Sequence, residues 1–187
     1  AVPADLVYTG AFLKSHDIPV RALDLSAGLL HHHLLRVPGF KALQTRETYL
    51  APLDYAAATQ QVDDALAAVS ARYQCEYGFP ALRFPGVDVE HVPTALKVGL
   101  SLSRNPALPV IQRAISTLLK DDPIYIALAL VHPDQLVQTL VIGRLLRAAG
   151  YRGFLCIYGA HEDVLSPEDL LEDLLPTPGQ PLHRFFD

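Results

Sequence analysis

Two apolar runs separated by a helical pattern, all within residues 123–161, constrain the fold of this chain more than any other feature. Residues 124–131 form a nearly unbroken apolar run, which is typical of a strand covered on both faces. The run ends at His132, a helical segment follows as far as Gly150, and a second apolar run covers residues 154–158. The pattern predicts a strand–helix–strand unit. In open α/β sheets, ligands bind at the carboxyl ends of such strands.

The composition predicts a globular cytoplasmic protein that binds neither nucleic acid nor membranes. The chain has 187 residues, of which 50% are hydrophobic, and this is enough for one α/β domain with its own core. A net charge of −5 without a cluster of Lys and Arg argues against nucleic acids and anionic membranes as main partners. No apolar stretch approaches the roughly 20 residues that span a bilayer. The first residues lack the pattern of a signal peptide.

The two cysteines, Cys75 and Cys156, are expected to be free thiols rather than a disulfide. Two cysteines also cannot hold an iron–sulfur cluster, which usually takes four ligands.

The first half of the chain is predicted to be mostly helical. Residues 5–15 form an opening helix, and residues 20–25 form a short strand that carries Asp24 near its end. Ser26 is expected to cap the next helix. From residue 52 to residue 73, apolar side chains at three- and four-residue spacing predict the longest helix of the chain.

The second half begins with a predicted loop at residues 75–92, because several Gly and Pro residues interrupt this segment. Residues 93–103 and 109–120 are predicted to be helices that precede the strand–helix–strand unit. Ser166 and Pro167 are typical of the start of a final helix. We therefore expect a three-layer α/β domain with a mainly parallel, flavodoxin-like sheet and an inserted helical region at about residues 26–120. Because the chain opens on a helix, we also expect a strand to be missing at each end.

Several short segments follow one another as they do in a known family. The relevant segments are residues 3–16, residues 18–25, residues 131–136 (Val-His-Pro-Asp-Gln-Leu), residues 144–147 (Arg-Leu-Leu-Arg), residues 158–160 (Tyr-Gly-Ala) and residues 183–187. This order resembles the N-terminal cobalamin-binding domain of one large class of radical S-adenosylmethionine proteins. In two respects the chain departs from that pattern. Ala160 replaces the second Gly of the turn after the second strand, and the Asp-x-His-x-x-Gly signature of classical cobalamin domains is absent.

The resemblance implies a Rossmann-like cobalamin-binding accessory domain, a fragment of a larger radical S-adenosylmethionine enzyme such as a methyltransferase. Such a domain positions the corrin for chemistry in a separate C-terminal barrel. S-adenosylmethionine and a 4Fe-4S cluster would belong to that barrel, because the three-cysteine cluster motif is absent here. The alternative is a degenerate, cofactor-free interaction domain of the same architecture. A free-standing enzyme is a third option, but no catalytic constellation supports it.

The resemblance also implies a set of cofactor-binding residues, which lie in the loops after Leu25, Val131 and Tyr158. They are Asp24, His132, Asp134, Gln135, Tyr158, Gly159, Ala160 and His161. We predict no catalytic residue in this chain and no separate metal site.

Each of these residues also has a simpler interpretation. Asp24 and Asp134 are suited to capping the helices that follow them, and His132 is then a solvated loop residue. Gln135 is equally typical of the first turn of a helix. Gly159 either permits close approach of a large planar ligand or serves a turn with positive φ.

Overall fold

The computed structural model describes residues 4–78, 81–88, 91–130 and 132–158. In these ranges the chain is an α/β protein, and it contains helices and strands in the following order: α1 (Ala4–Ser15), α2 (Leu25–Leu34), α3 (Pro38–Ala42), α4 (Arg46–Leu50), α5 (Pro52–Tyr73), β1 (Glu76–Tyr77), β2 (Leu82–Arg83), α6 (Val92–Gly99), α7 (Leu108–Leu118), β3 (Tyr125–Ala129), α8 (Leu136–Ala148) and β4 (Phe154–Tyr158). Short 3-10 turns cover Leu119–Asp121 and Pro133–Gln135. Across the described ranges, no helix is long and apolar enough to cross a membrane.

The predicted strand–helix–strand unit is confirmed. Strands β3 and β4 pair in parallel, with Tyr125 opposite Phe154, and α8 connects them. Ile126 and Leu155 alternate with these exposed residues and are buried in the core that also contains Leu140 of α8. Alternation of this kind covers one face of the sheet and leaves the other face open.

The wide parallel sheet that the sequence predicts is not seen in the described part of the chain. That part contains two sheets of two strands each, the parallel pair β3–β4 and the antiparallel pair β1–β2. The α/β class is therefore observed, whereas a three-layer flavodoxin-like sheet is not.

The predicted strand at residues 20–25 is wrong. Residues 20–24 adopt no regular structure and pair with no strand, and Arg21 and Leu23 are exposed. A strand is stable only when another strand satisfies its backbone groups and a core covers one of its faces. Asp24 instead ends this segment as the N-cap of α2, since its Oδ1 accepts a hydrogen bond of 2.9 Å from the backbone N–H of Ala27. The expected cap, Ser26, lies inside the helix.

The long helix α5 agrees with its prediction at both ends. Its buried residues Ala58, Val62 and Leu66 lie four residues apart and form one face, as the periodic pattern requires. The helix ends at Tyr73, and the residue that follows, Gln74, has a left-handed φ of 53°.

The predicted loop at residues 75–92 is partly wrong, because it contains the β1–β2 hairpin. The next helix, α6, also ends earlier than predicted, at Gly99. The reason is the buried side chain of Asn105, whose Nδ2 donates a hydrogen bond of 2.6 Å to the carbonyl oxygen of Gly99. The predicted final helix that begins near Ser166 lies outside the described residues.

Helix α8 is the most deeply buried helix among those described. Buried residues lie on several of its sides, and they are Leu136, Val137, Thr139, Leu140, Val141, Gly143 and Leu146. A helix that is apolar on several sides belongs in the middle of a core. Helix α6 approaches it most closely at Gly99. A Cβ at that position would overlap Cγ2 of Val141 and would lie 3.0 Å from Cγ1 of Val137.

We predict that Gly99→Ala lowers the free energy of unfolding by about 1–3 kcal/mol, because the added methyl group forces α6 and α8 apart. Urea denaturation of the full chain measures this change. The matched control is Gly10→Ala in α1, where an added Cβ meets no atom within 4 Å. The control should be neutral or should stabilise by up to about 1 kcal/mol through helix propensity. Equal effects at the two positions would contradict the packing described here.

Candidate ligand-binding site

A groove lies beside the carboxyl end of β3, between the β1–β2 hairpin and the start of α8. Its volume is about 260 Å³, and it is lined by Glu76, Leu82, Arg83, Phe84, Pro85, Asp134 and Val137. The sequence predicts a site at this end of the strand, and Asp134 is the predicted residue that lines the groove. The hairpin forms the opposite wall, which the sequence did not predict.

An ion pair connects the two walls of the groove. Nε of Arg83 on β2 donates a hydrogen bond of 2.8 Å to Oδ2 of Asp134. The Asp134 side chain is 18% exposed and the Arg83 side chain 56% exposed. Leu82 and Phe84 are buried on either side of Arg83, because alternate residues of a strand face opposite ways. This alternation turns Arg83 out of the core and towards Asp134.

His132 extends this pair into a chain of three polar side chains. Its Nδ1 accepts a hydrogen bond of 3.3 Å from the backbone N–H of Asp134 and lies 3.3 Å from Oδ2 of the same residue. Gln135 fixes the backbone of the same turn, since its Oε1 accepts a hydrogen bond of 3.2 Å from the backbone N–H of His132. The turn is therefore held by its own side chains.

Asp134 is not a helix cap. Its carboxylate binds Arg83, and Gln135 occupies the N-cap position of α8 without a capping hydrogen bond from its side chain. His132 is 48% exposed in its side chain, but it contacts Asp134 rather than solvent alone. The simpler interpretation of these two residues is thus only partly correct.

The contact between His132 and Asp134 has a chemical consequence. The hydrogen bond from the Asp134 N–H places the proton of a neutral ring on Nε2. A ring that instead donated Nδ1–H to the nearby carboxylate would leave the lone pair of Nε2 available to an incoming ligand, and Nε2 has no hydrogen-bond partner within the described ranges. A carboxylate on one imidazole nitrogen is the common way to orient a histidine whose other nitrogen binds a metal. No group of three or more His, Cys, Asp or Glu side chains could hold a metal ion in the part of the chain that is described.

The other predicted residues do not join this site. Asp24 caps α2 and is not among the residues that line the groove. Tyr158 is the last residue of β4. Gly159, Ala160 and His161 lie outside the described residues.

The consecutive histidines of α2 do not converge on one ligand, because neighbouring positions of a helix are about 100° apart. His31 and His32 are exposed. His33 turns inwards, where its Nε2 lies 3.3 Å from the carbonyl oxygen of Pro106. Burial lowers the pKa of His33 below its ordinary value.

The comparisons with known proteins give no relative for this chain. No family model matches it, and neither a curated protein nor a solved structure matches it. The resemblance to cobalamin-binding domains therefore remains a prediction from the sequence.

We predict that Arg83 and Asp134 stabilise one another with a coupling free energy of about 1 kcal/mol, because Asp134 is largely shielded from water. A double-mutant cycle with Arg83→Met, Asp134→Asn and the double variant measures this coupling by urea denaturation. The control is the pair Arg21–Asp121, whose side chains are 48% and 52% exposed although their atoms lie 2.6 Å apart. Its coupling should be smaller. A coupling at Arg83 no larger than that of the control would contradict the assigned role of this ion pair.

Proposed function

We propose that the chain is a cobalamin-binding accessory domain of a radical S-adenosylmethionine enzyme. The corrin would lie over the carboxyl edge of β3 and β4. One observation supports the proposal most strongly: His132 stands at the end of β3 with the Asp134 carboxylate 3.3 Å from its Nδ1, and a ring that donated Nδ1–H to this carboxylate would offer Nε2 as a cobalt ligand.

The described residues offer a donor atom that suits cobalt. The groove, however, is small for a ligand of the size of cobalamin. Imidazole nitrogen is a good ligand for first-row transition metals. The groove of about 260 Å³ is smaller than the sites that enclose drug-sized ligands, which measure roughly 300–1,000 Å³. A corrin would therefore lie across the open edge, with at most one of its side groups in the groove.

Three side chains would hold and orient the cofactor. His132 would bind through Nε2, and Asp134 would keep the imidazole in the tautomer that allows this. Arg83 would hold the Asp134 carboxylate in place across the groove. Bound cobalamin supplies a cobalt centre that carries a methyl group or serves a structural role, and the protein contributes binding and orientation.

The proposal has parts that reach beyond the described residues. The complete fold would be a three-layer flavodoxin-like domain with more parallel strands than β3 and β4. Its partner would be a C-terminal barrel that holds S-adenosylmethionine and a 4Fe-4S cluster, and the whole protein would be cytoplasmic. Tyr158, Gly159, Ala160 and His161 would continue the cofactor edge from the end of β4.

A cofactor-free interaction domain is the second candidate, and an exposed apolar patch favours it. The patch lies where α4 meets α5 and consists of Tyr49, Leu50, Leu53 and Tyr55. Leu50 and Leu53 are 71% and 86% exposed, and the rings of Tyr49 and Tyr55 lie 5.5 Å apart. Contiguous exposed apolar side chains often mark a surface that contacts another protein.

We predict that the purified chain retains hydroxocobalamin after desalting and shows a corrin band in its visible spectrum. His132→Ala should shift this band or lose it, because the nitrogen that would bind cobalt is removed. The control His31→Ala changes an exposed histidine on α2 and should behave like the unchanged protein.

The identity of the ligand atom can be tested separately. After reduction of the bound cofactor to the cobalt(II) state, electron paramagnetic resonance of protein labelled with nitrogen-15 histidine should show the nitrogen splitting change from a triplet to a doublet. A chain that retains no corrin would overturn the cobalamin proposal and leave the interaction domain as the better candidate. If the chain retains the corrin but the nitrogen splitting does not change on labelling, His132 is not the cobalt ligand.

A further inference from the structure

The groove beside the carboxyl end of β3 contains a second carboxylate besides that of Asp134. Glu76 of β1 lies directly opposite Arg83 of β2 in the antiparallel pair, and both residues line the groove. Their neighbours Tyr77 and Leu82 are buried, so Glu76 and Arg83 both project from the exposed side of the hairpin. Residues paired in this way have Cβ atoms about 4.5–5.5 Å apart.

Arg83 does not pair with Glu76, although the two residues are opposite one another. Its Nε donates a hydrogen bond of 2.8 Å to Oδ2 of Asp134, on the other wall of the groove. Among residues 4–78, 81–88, 91–130 and 132–158, the Glu76 carboxylate has no hydrogen-bond or ion-pair partner, and the Nη atoms of Arg83 donate no hydrogen bond. The groove thus offers an acceptor and donors to a group that enters it.

The charges of the groove disfavour an anion. Glu76 and Asp134 each carry one negative charge and Arg83 carries one positive charge, so a negative charge remains in excess. This excess repels a carboxylate or a phosphate. An ammonium group fits the groove only in part, because it has no acceptor for the Nη atoms of Arg83 and is repelled by the same guanidinium.

A neutral group that both donates and accepts hydrogen bonds matches the groove better. The carbonyl oxygen of a primary carboxamide accepts from Nη of Arg83, and its N–H donates to the Glu76 carboxylate. Removing an uncharged amide from water also costs less than removing an ion. Phe84, Pro85 and Val137 line the same groove and would contact the carbon chain that carries the amide.

We propose that the groove is a subsite for a primary carboxamide, which Glu76 and Arg83 recognise together. Glu76 determines the specificity, because it accepts a hydrogen bond from the amide N–H and repels a carboxylate of the same shape. Cobalamin carries primary carboxamides around its corrin ring, and one of these side groups would enter the groove. The link to the corrin rests on the proposed function, whereas the preference for an amide follows from the groove itself.

Three small compounds of similar shape test this preference: isovaleramide, isovalerate and isoamylammonium. Each is titrated into the full chain at about pH 7.5, where an unperturbed histidine is mostly neutral. The NMR signals of the Glu76 and Arg83 backbone amides and of Arg83 Cζ report binding. We expect isovaleramide to shift these signals and to bind at least about threefold more tightly than either ion.

Glu76→Gln keeps the shape of the side chain and removes its charge. This variant should bind isovaleramide about threefold or more weakly, because a charged acceptor is replaced by a neutral one. It should bind isovalerate more tightly, because the excess negative charge is gone. The matched control is Glu47→Gln on α4, which changes an exposed glutamate outside the groove and should leave all three affinities unchanged.

The other outcomes would overturn the proposal. Tighter binding of isovalerate would make the groove an anion site, and tighter binding of isoamylammonium would make it a cation site. If the signals of Glu76 and Arg83 do not shift with isovaleramide, the groove does not bind an amide. If Glu76→Gln and Glu47→Gln behave alike, Glu76 does not determine the specificity.

The monocarboxylic acids of hydroxocobalamin, in which one carboxamide of the corrin is hydrolysed, test the link to the cofactor. We expect the native chain to bind at least one of them about threefold or more weakly than hydroxocobalamin, as measured from the visible spectrum, and Glu76→Gln to remove this difference. If every acid binds as tightly as hydroxocobalamin, the corrin does not use the groove. If no corrin binds, the cobalamin proposal fails, and the titration with isovaleramide still decides whether the groove recognises an amide.

Discussion

The burial of helix α8 is the constraint on which the rest of the described structure depends. Its apolar residues contribute to the same core as Ile126 and Leu155 of the sheet, and α6 packs against it where Gly99 has no side chain. Because Val137 and Val141 occupy the space that a side chain at Gly99 would need, the distance between these two helices is fixed by van der Waals contact. The two parallel strands pair directly with one another, and α8 connects them.

The position of α8 also determines where the candidate site forms. The helix begins directly after the turn at His132, so its first residues lie at the carboxyl end of β3. The β1–β2 hairpin approaches the same turn, which brings Arg83 within 2.8 Å of Asp134. Asp134 in turn contacts His132. The packing of α8 thus brings these polar side chains to the carboxyl end of β3. Short contacts between the side chains then orient them.

The sequence predicts those elements whose signals are local. Helix α5 and the strand–helix–strand unit are long, periodic and strongly apolar, so their positions follow from the pattern alone. The predicted strand at residues 20–25 failed because its short apolar alternation found no partner strand. Arg83 was missed because it lies 51 residues from Asp134, and no local pattern signals such a contact. The alternation Leu82-Arg83-Phe84 does follow the period of a strand, and the hairpin could have been predicted from it.

The tautomer of His132 tests the central claim most directly, because the proposed site requires this imidazole to bind cobalt through Nε2. Long-range nitrogen–proton correlation spectra of the full chain distinguish the two ring nitrogens. In the free chain, Nδ1 accepts a hydrogen bond from the Asp134 N–H, which places the proton of a neutral ring on Nε2. The account predicts that added hydroxocobalamin moves this proton to Nδ1, where the Asp134 carboxylate holds it, and that Asp134→Asn weakens the change. Spectra of His132 that stay the same when hydroxocobalamin is added would contradict the assignment of this residue as a ligand.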